Sequence, residues 1–468
     1  MLTLDPNHSV PLVTQIVEEI KGLINQRKLR PGTKIPSIRQ LAEQEGVSVS
    51  TVVEAYDRLV AEGYLVPRQS SGFFVRAMSR GLYREERQSL RNIQFNPLWF
   101  VRQIWESSSA EITPGYGWVP DSWLDGEIIR RSLRNLSAKP SLQSPGYGLP
   151  KGSAMLRLKI CDHLAEQEIS AAQDQVLLTT GASHAIELVS QYLLRPGDTA
   201  LVDEPGYSVM ISNLRARGAK VVGVPWTRNG PDLSALEQLA VEHKPRAFFT
   251  NPRLHNPTGA SYSTGCAYRV LQLAERHNFF IVEDDVCADL DVDGHRSLAC
   301  LDQLNRVIYL TSFSKSISPQ LRVGFIAAHP DAIEDITQTK MTTGLTSSDI
   351  TERLTHEILI EGRQRKHIKF LRERLAIAQE TTGRYLEEAG LEIFTEPKSG
   401  LFIWARVPGI DDSSGICYEA IESNILLAPG HLFTTRGERS PWLRFNVAFS
   451  NSPQLFEFLA SISKKTGA

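Results

Sequence analysis

The sequence holds 468 residues with a formal net charge of −2; 41% of its side chains are hydrophobic and 22% charged. At roughly 150 residues per domain this length implies two or three folded units, and the composition is that of a globular protein rather than a disordered one. Near-neutrality excludes a polyanion binder acting through overall charge, while leaving room for a local basic face.

Five cysteines (Cys161, Cys266, Cys287, Cys300, Cys417) lie scattered without CxxC pairs or metal-ligand spacing, which reads as reduced thiols in a cytoplasmic protein with no metal. The first twelve residues lack the basic-then-apolar pattern of a leader, and no apolar run approaches the roughly 18–20 residues of a membrane span. The expected location is the cytoplasm, with no membrane partner.

In chain order, Ile16, Ile20, Leu23 and Ile24 follow helical spacing up to the turn signal Leu29-Arg30-Pro31-Gly32. Ser37 is placed to cap a short helix carrying Ile38, Leu41 and Ala42 and ending near Gly46. Ser48 is placed to cap a third, with Val52, Ala55, Tyr56, Leu59 and Val60 on one face and Gly63 at its end. Two short β-prone runs, 64–66 and 73–75, flank Arg68-Gln69-Ser70-Ser71-Gly72 as a hairpin. Three helices and a hairpin make a winged helix-turn-helix over residues 1–76. Residues 77–113 form an arginine-rich connector, in which the apolar run 95–100 is expected to pack on something.

From residue 114 onward, β-branched runs at 175–178, 199–203, 220–224, 247–250, 280–283, 307–310 and 324–327 alternate with helical stretches. This predicts a mostly parallel sheet covered by helices, an α/β fold. The large part is expected over 114–353 and a smaller α+β part over 354–468.

The strongest chemical signal is Ser312-Phe313-Ser314-Lys315, followed by Arg322-Val323-Gly324. A lysine just after a buried strand loses its proton easily and condenses with aldehydes; alone, it also reads as a surface lysine at a helix start. Ser312, Ser314 and Arg322 suit a phosphate monoester. Asn256-Pro257-Thr258-Gly259 is by itself a turn, and Glu283-Asp284-Asp285 by themselves are possible helix caps. Thr180-Gly181-Ala182-Ser183-His184 opens a helix whose N–H groups suit phosphate; His184 reads as a packed or capping residue. Gly206-Tyr207 offers an aromatic face. All five segments fall at carboxyl ends of strands, where ligand crevices form in α/β sheets.

This order and spacing resemble the fold-type I pyridoxal-phosphate enzymes of the aspartate aminotransferase family, from about residue 114 to the end. The resemblance implies pyridoxal 5′-phosphate as cofactor, in a Schiff base with Lys315. It implies Asp284 against the pyridine nitrogen, Asn256 on the phenolic oxygen and Tyr207 stacked on the ring. Ala182 (through its N–H), Ser183, Ser312, Ser314 and Arg322 are implied at the phosphate. Tyr147 is implied to reach the phosphate from a partner subunit, hence a homodimer. Arg444, in Leu443-Arg444-Phe445-Asn446, matches the arginine that clamps an α-carboxylate, its planar fork suiting bidentate recognition; a structural ion pair is its other reading. Where the family places a tyrosine two or three residues after the aspartate, this chain has Val286 and Cys287, which weakens proton-transfer catalysis without preventing cofactor binding.

The N-terminal run, from Pro31-Gly32-Thr33-Lys34-Ile35-Pro36-Ser37 through Gly46-Val47-Ser48 to Glu62-Gly63-Tyr64-Leu65, resembles the GntR family of bacterial transcription factors. The second helix of such a unit enters the major groove. DNA contacts are expected from Arg39, Ser48, Ser50 and Thr51, and from Arg68, Gln69, Ser70 and Ser71 on the wing. Val49 stands where many relatives carry arginine. Residues 1–80 hold ten Lys and Arg against eight Asp and Glu, about +2, so binding of double-stranded DNA is expected to need two copies. Both units in this order resemble the MocR subgroup of GntR regulators. That implies a transcriptional regulator whose aminotransferase-like part senses an amino acid, an amine or the cofactor itself. A working aminotransferase carrying a DNA-binding arm is the alternative, and a relic that has lost the cofactor a third.

Overall fold

The computed structural model describes residues 4–5, 10–25, 28–68, 71–75, 100, 102, 110–139 and 146–466. The chain divides into two units, residues 1–92 and 93–468.

In the first unit, α1 (Leu12–Asn25), α2 (Ile38–Glu45) and α3 (Val49–Ala61) precede an antiparallel hairpin of β1 (Leu65–Arg68) and β2 (Gly72–Val75). The caps are those the residue types dictate. Ser37 accepts from Gln40 N–H at the start of α2, Ser48 accepts from Thr51 N–H at the start of α3, and Gly46 closes α2 in the left-handed region at φ +65°. Ile16 and Ile20 of α1, Leu41 of α2, Val52, Ala55, Tyr56 and Leu59 of α3, and Leu65 and Val75 of the hairpin form one core. The Tyr56 hydroxyl, buried in it, donates to Pro36 O at 2.9 Å.

The second unit contains an eight-stranded sheet of β3 (Val176–Thr179), β4 (Thr199–Glu204), β5 (Lys220–Thr227), β6 (Gly230–Pro231), β7 (Ala247–Thr250), β8 (Phe280–Asp284), β9 (Val307–Ser312) and β10 (Gly324–Ala327). Its order is β3-β10-β9-β8-β7-β4-β5-β6. The five central strands from β9 to β5 run parallel, whereas β10 is antiparallel to both neighbours and β6 is a short hairpin on β5. Alternate residues feed opposite cores: Leu178, Phe248, Ile281, Tyr309 and Phe325 on one face, Leu177, Phe249, Val282, Leu310 and Ile326 on the other. Burial of both faces is why these strands read as continuous apolar runs.

A second sheet, of β11 (Glu392–Ile393), β12 (Phe402–Arg406), β13 (Ala428–Pro429) and β14 (Trp442–Asn446), is antiparallel in the order β11-β12-β14-β13. Leu371, Leu375 and Leu386 of helix Arg363–Glu388 and Leu455, Leu459 and Ile462 of helix Pro453–Thr466 cover it. Two details depart from the sequence reading. Helix Asp349–Ile360 packs Leu354 and Ile358 into the large-sheet core, so the change of core comes after residue 360 rather than at 354. Ile112, Tyr116 and Val119, at and beside the expected start of the large part, belong instead to the small-sheet core, with Ile112 bridged to Ile425. An amphipathic pattern marks a buried face without saying which core receives it. Of the apolar run 95–100 only Phe100 is described, and it is buried in the small-sheet core.

Among the described residues no helix is long and apolar enough to cross a membrane.

Candidate functional site

The three carboxylates at the end of β8 have three different fates. Glu283 accepts from Leu298 N–H at 2.9 Å and Ala299 N–H at 2.7 Å, capping a short helix. Asp285 is held by the Arg253 guanidinium, whose Nε lies 3.1 Å from both of its oxygens. Asp284 is 3% exposed, and its Oδ1 has no hydrogen-bond partner among the described residues. Burial, reinforced by the charge of Asp285, pushes the Asp284 carboxyl up to about 7. An acceptor buried without a donor is costly, so this oxygen is built for a group from outside the chain.

Lys315 lies three residues beyond β9, half-buried, and its Nζ donates to Gly117 O. Burial lowers its ammonium's pKa; Cys287 and Asp284 oppose that shift, and Arg444 and Arg322 add to it. Tyr207, its pKa raised to about 12 by burial, lies within the fields of Asp284, Arg444 and Arg322 and shares a hydrogen bond with Ser183. Arg444, on β14, donates through Nη1 to Asn256 Oδ1 at 2.9 Å and through Nη2 to Gly115 O at 2.7 Å. It sits over the rings of Phe402 and Phe433 at 4.6 and 4.8 Å. It is 6% exposed, its Nε is unpartnered, and no carboxylate among the described residues pairs with it. Burial lowers its pKa to about 9. The internal ion pair considered from sequence is therefore not found.

A second focus lies beside these groups. Helix Ala182–Leu193 starts at Gly181, φ +81°, with no side-chain cap, so its first N–H groups point outward unfilled. His184 Nδ1 accepts from Thr180 N–H at 3.0 Å, the capping role expected of it. Arg322, itself left-handed at φ +49°, donates to Thr180 O at 3.3 Å and lies so close that a Cβ on Gly181 meets its Nη2 at 2.6 Å. Ser312 and Ser314 exchange a 2.8 Å hydroxyl contact next to the Val323 carbonyl. Free helix N–H groups, hydroxyls and an exposed guanidinium form a phosphate-type cradle.

The structure thus brings Lys315, Asp284, Asn256, Tyr207, Ser183, Arg322 and Arg444 into one cluster, with Ala182, Ser312 and Ser314 at the cradle. Tyr147 stands apart, 89% exposed. The sequence reading missed the segment 115–118. Gly115 O meets Arg444, Gly117 O meets Lys315, and Asn446 Nδ2 donates to both Tyr116 O (3.0 Å) and Trp118 O (2.8 Å). A Cβ on Gly115 lies 2.8 Å from Leu426 O, so only glycine lets the segment approach. Carbonyl contacts carry no residue signature; the small-aromatic alternation Gly-Tyr-Gly-Trp was the one available hint.

In the first unit, Arg39 and Arg68 are exposed, Arg68 lying 4.4 Å over Phe74. The Ser48 hydroxyl contacts those of Ser50 (2.8 Å) and Thr51 (2.7 Å) while capping α3, and Ser48 and Ser50 are both exposed. Ser71 is exposed on the wing; Gln69 and Ser70 lie outside the described residues.

Residues 12–75 match the family of bacterial regulatory proteins, gntR family, and residues 129–462 match aminotransferase class I and II. The chain is 30% identical over 469 residues to the uncharacterized HTH-type transcriptional regulator YjiR of Escherichia coli, covering 97% of each chain. It is 33% identical over 309 residues to a 2-aminoadipate transaminase of Thermus thermophilus, covering 64% of this chain and 76% of that one. Among solved structures, LysN, the alpha-aminoadipate aminotransferase of Thermus thermophilus, complexed with N-(5′-phosphopyridoxyl)-L-leucine, superposes with a TM-score of 0.71. That match has 27% identity and spans 78% of this chain and 95% of the other. The chain belongs to the aminotransferase class I and II family, in the branch that joins this domain to an N-terminal gntR-family helix-turn-helix unit.

Proposed function

We propose that this protein is a DNA-binding transcriptional regulator whose aminotransferase-like unit holds pyridoxal 5′-phosphate and senses an amino acid or related amine. One observation carries the reading. A half-buried lysine, a buried carboxylate with an unpartnered oxygen and a buried arginine without a carboxylate share one cluster, downstream of a helix-turn-helix.

The residues fit the cofactor. Asp284 would offer the acceptor a protonated ring nitrogen needs, Asn256 and Tyr207 would hold the ring, and the N–H groups of 182–184 with Ser183, Ser312, Ser314 and Arg322 would take its phosphate. Bound, the cofactor supplies an aldehyde that takes either the Lys315 amine or an incoming amine, and a ring that draws electrons from it. The protein does the rest. Burial makes the Lys315 ammonium easier to deprotonate than an exposed lysine, and Arg444 is poised for a carboxylate, orienting Asn256 meanwhile. Segment 115–118 touches both Lys315 and Arg444, so a ligand that engages them changes what holds that segment. Two conformations that bind the ligand unequally then couple the site to DNA. Exposed Tyr147 and the small positive charge of the first unit favour a homodimer on paired half-sites.

Cys287, 3% exposed beside Lys315 and Asp284, supplies no phenol for proton transfer, which favours sensing over turnover. The test is a gel-shift titration on DNA upstream of the protein's own and adjacent genes. Salt-dependent binding altered by an amine or amino acid supports the regulator, and absence of binding rejects it. Oxo-acid production from an amino-acid panel with 2-oxoglutarate near the ~10 s⁻¹ of ordinary enzymes favours the aminotransferase instead.

A further inference from the structure

The exposed face of α3 is chemically unusual for a helix that reads DNA. Val49 and Val53, one turn apart, are 50% and 37% exposed and pack into no core. Their exposed neighbours are Ser50, Glu54 and Asp57; the first basic residue is Arg58, at the far end of the helix and paired with Glu54 at 2.7 Å. The Ser50 hydroxyl is engaged by Ser48. The part of the helix that enters a major groove first therefore presents two branched apolar side chains, then carboxylates, and no guanidinium or ammonium to meet guanine O6 and N7.

We infer that α3 reads its operator through the 5-methyl groups of thymines, with Val49 and Val53 as the specificity-determining residues. The thymine methyl is the one apolar group that base edges display in the major groove. The Asp57 carboxylate can accept only from the amino groups of cytosine or adenine, and guanine's O6 and N7 offer it nothing, so on this face the valines have the thymine methyl as their apolar partner. This rests on the DNA-binding reading above and specifies its chemistry.

The test uses the full-length protein with its cofactor. A duplex is first selected from a random-sequence pool, and each thymine in it is then replaced singly by deoxyuridine, which lacks only the methyl. Burying one methyl is worth about 0.8 kcal/mol, so the wild type should lose roughly fourfold in affinity at one or two positions per half-site. Val49→Ala and Val53→Ala, both on the surface and checked for unchanged thermal unfolding, should each bind the thymine and deoxyuridine duplexes alike at one of those positions. If every deoxyuridine duplex binds the wild type as its thymine parent does, or if the loss persists unchanged in both variants, the inference falls while DNA binding stands. If the pool yields no preferred duplex, the DNA-binding reading falls and this one with it.

Discussion

Arg444 Nη1 donates to the side-chain oxygen of Asn256 at 2.9 Å, joining the arginine of the small sheet to the loop that follows β7 in the large one. With Nη2 on Gly115 O and Nε unpartnered, the guanidinium is oriented by neutral acceptors alone. Such a cation, desolvated and uncompensated, is costly, which is what its lowered pKa expresses. An arriving anion would offset that cost.

Arg444→Lys keeps a charge and removes the planar fork. Its response to an amino acid, followed by the cofactor's absorbance, is expected roughly 10- to 100-fold weaker, the scale of one lost hydrogen bond to a charged group. The response to the corresponding decarboxylated amine is expected unchanged. Equal amino-acid affinity in both proteins means Arg444 does not see a carboxylate.

Two lysines of the second unit have lowered pKa values, and their surroundings distinguish them. Lys340 is 1% exposed, and its Nζ donates to Pro150 O at 2.7 Å and Leu178 O at 2.9 Å. Lys315 is half-buried and faces the cluster. Borohydride treatment with pyridoxal phosphate should therefore label the peptide containing residue 315, as read by mass spectrometry. Lys315→Ala should lose that label with its circular dichroism unchanged; a label appearing on residue 340 instead contradicts the assignment.

Asp284 ties the site to pH. Its carboxyl ordinarily titrates near 3.8 and here titrates at about 7. A raised pKa favours folding below the ordinary value, and that contribution disappears as pH rises through about 7. In cofactor-free protein, Asp284→Asn should melt like the wild type only below the ordinary value of 3.8, where the carboxyl is neutral folded and unfolded, then increasingly higher than the wild type as pH rises to about 7, with a constant gap above that. The same variant should bind the cofactor more weakly. A stability difference independent of pH shows that the carboxyl is not buried in its charged form.

Gly181→Ala tests the phosphate cradle. At φ +81° and ψ 173° the position is essentially glycine-only, costing a side chain about 1–3 kcal/mol. The added Cβ also displaces the Arg322 guanidinium, 2.6 Å away. Cofactor affinity should fall, and inorganic phosphate should compete less well for the cradle; unchanged competition places the phosphate elsewhere.

Much of this molecule was legible in its sequence, because the relevant physics is local. Serine and glycine caps, the period of the first three helices and the apolar runs of seven strands are short-range consequences of residue type. Position at strand ends likewise marks the segments that hold Lys315, Asn256, Asp284 and Tyr207, while the part given to each residue is what the resemblance to the aminotransferase family implies. The tertiary structure decided the rest. Which of three adjacent carboxylates lacks a partner depends on Arg253, 32 residues upstream of Asp285, and on a helix start 15 residues downstream of Glu283. That Arg444 has no ion pair, that segment 115–118 lies against Lys315, and that helix Asp349–Ile360 joins the large core are likewise facts about distant chain segments meeting. Pattern states which face of an element is buried; only packing settles what it is buried against, and so which charge is left for a ligand.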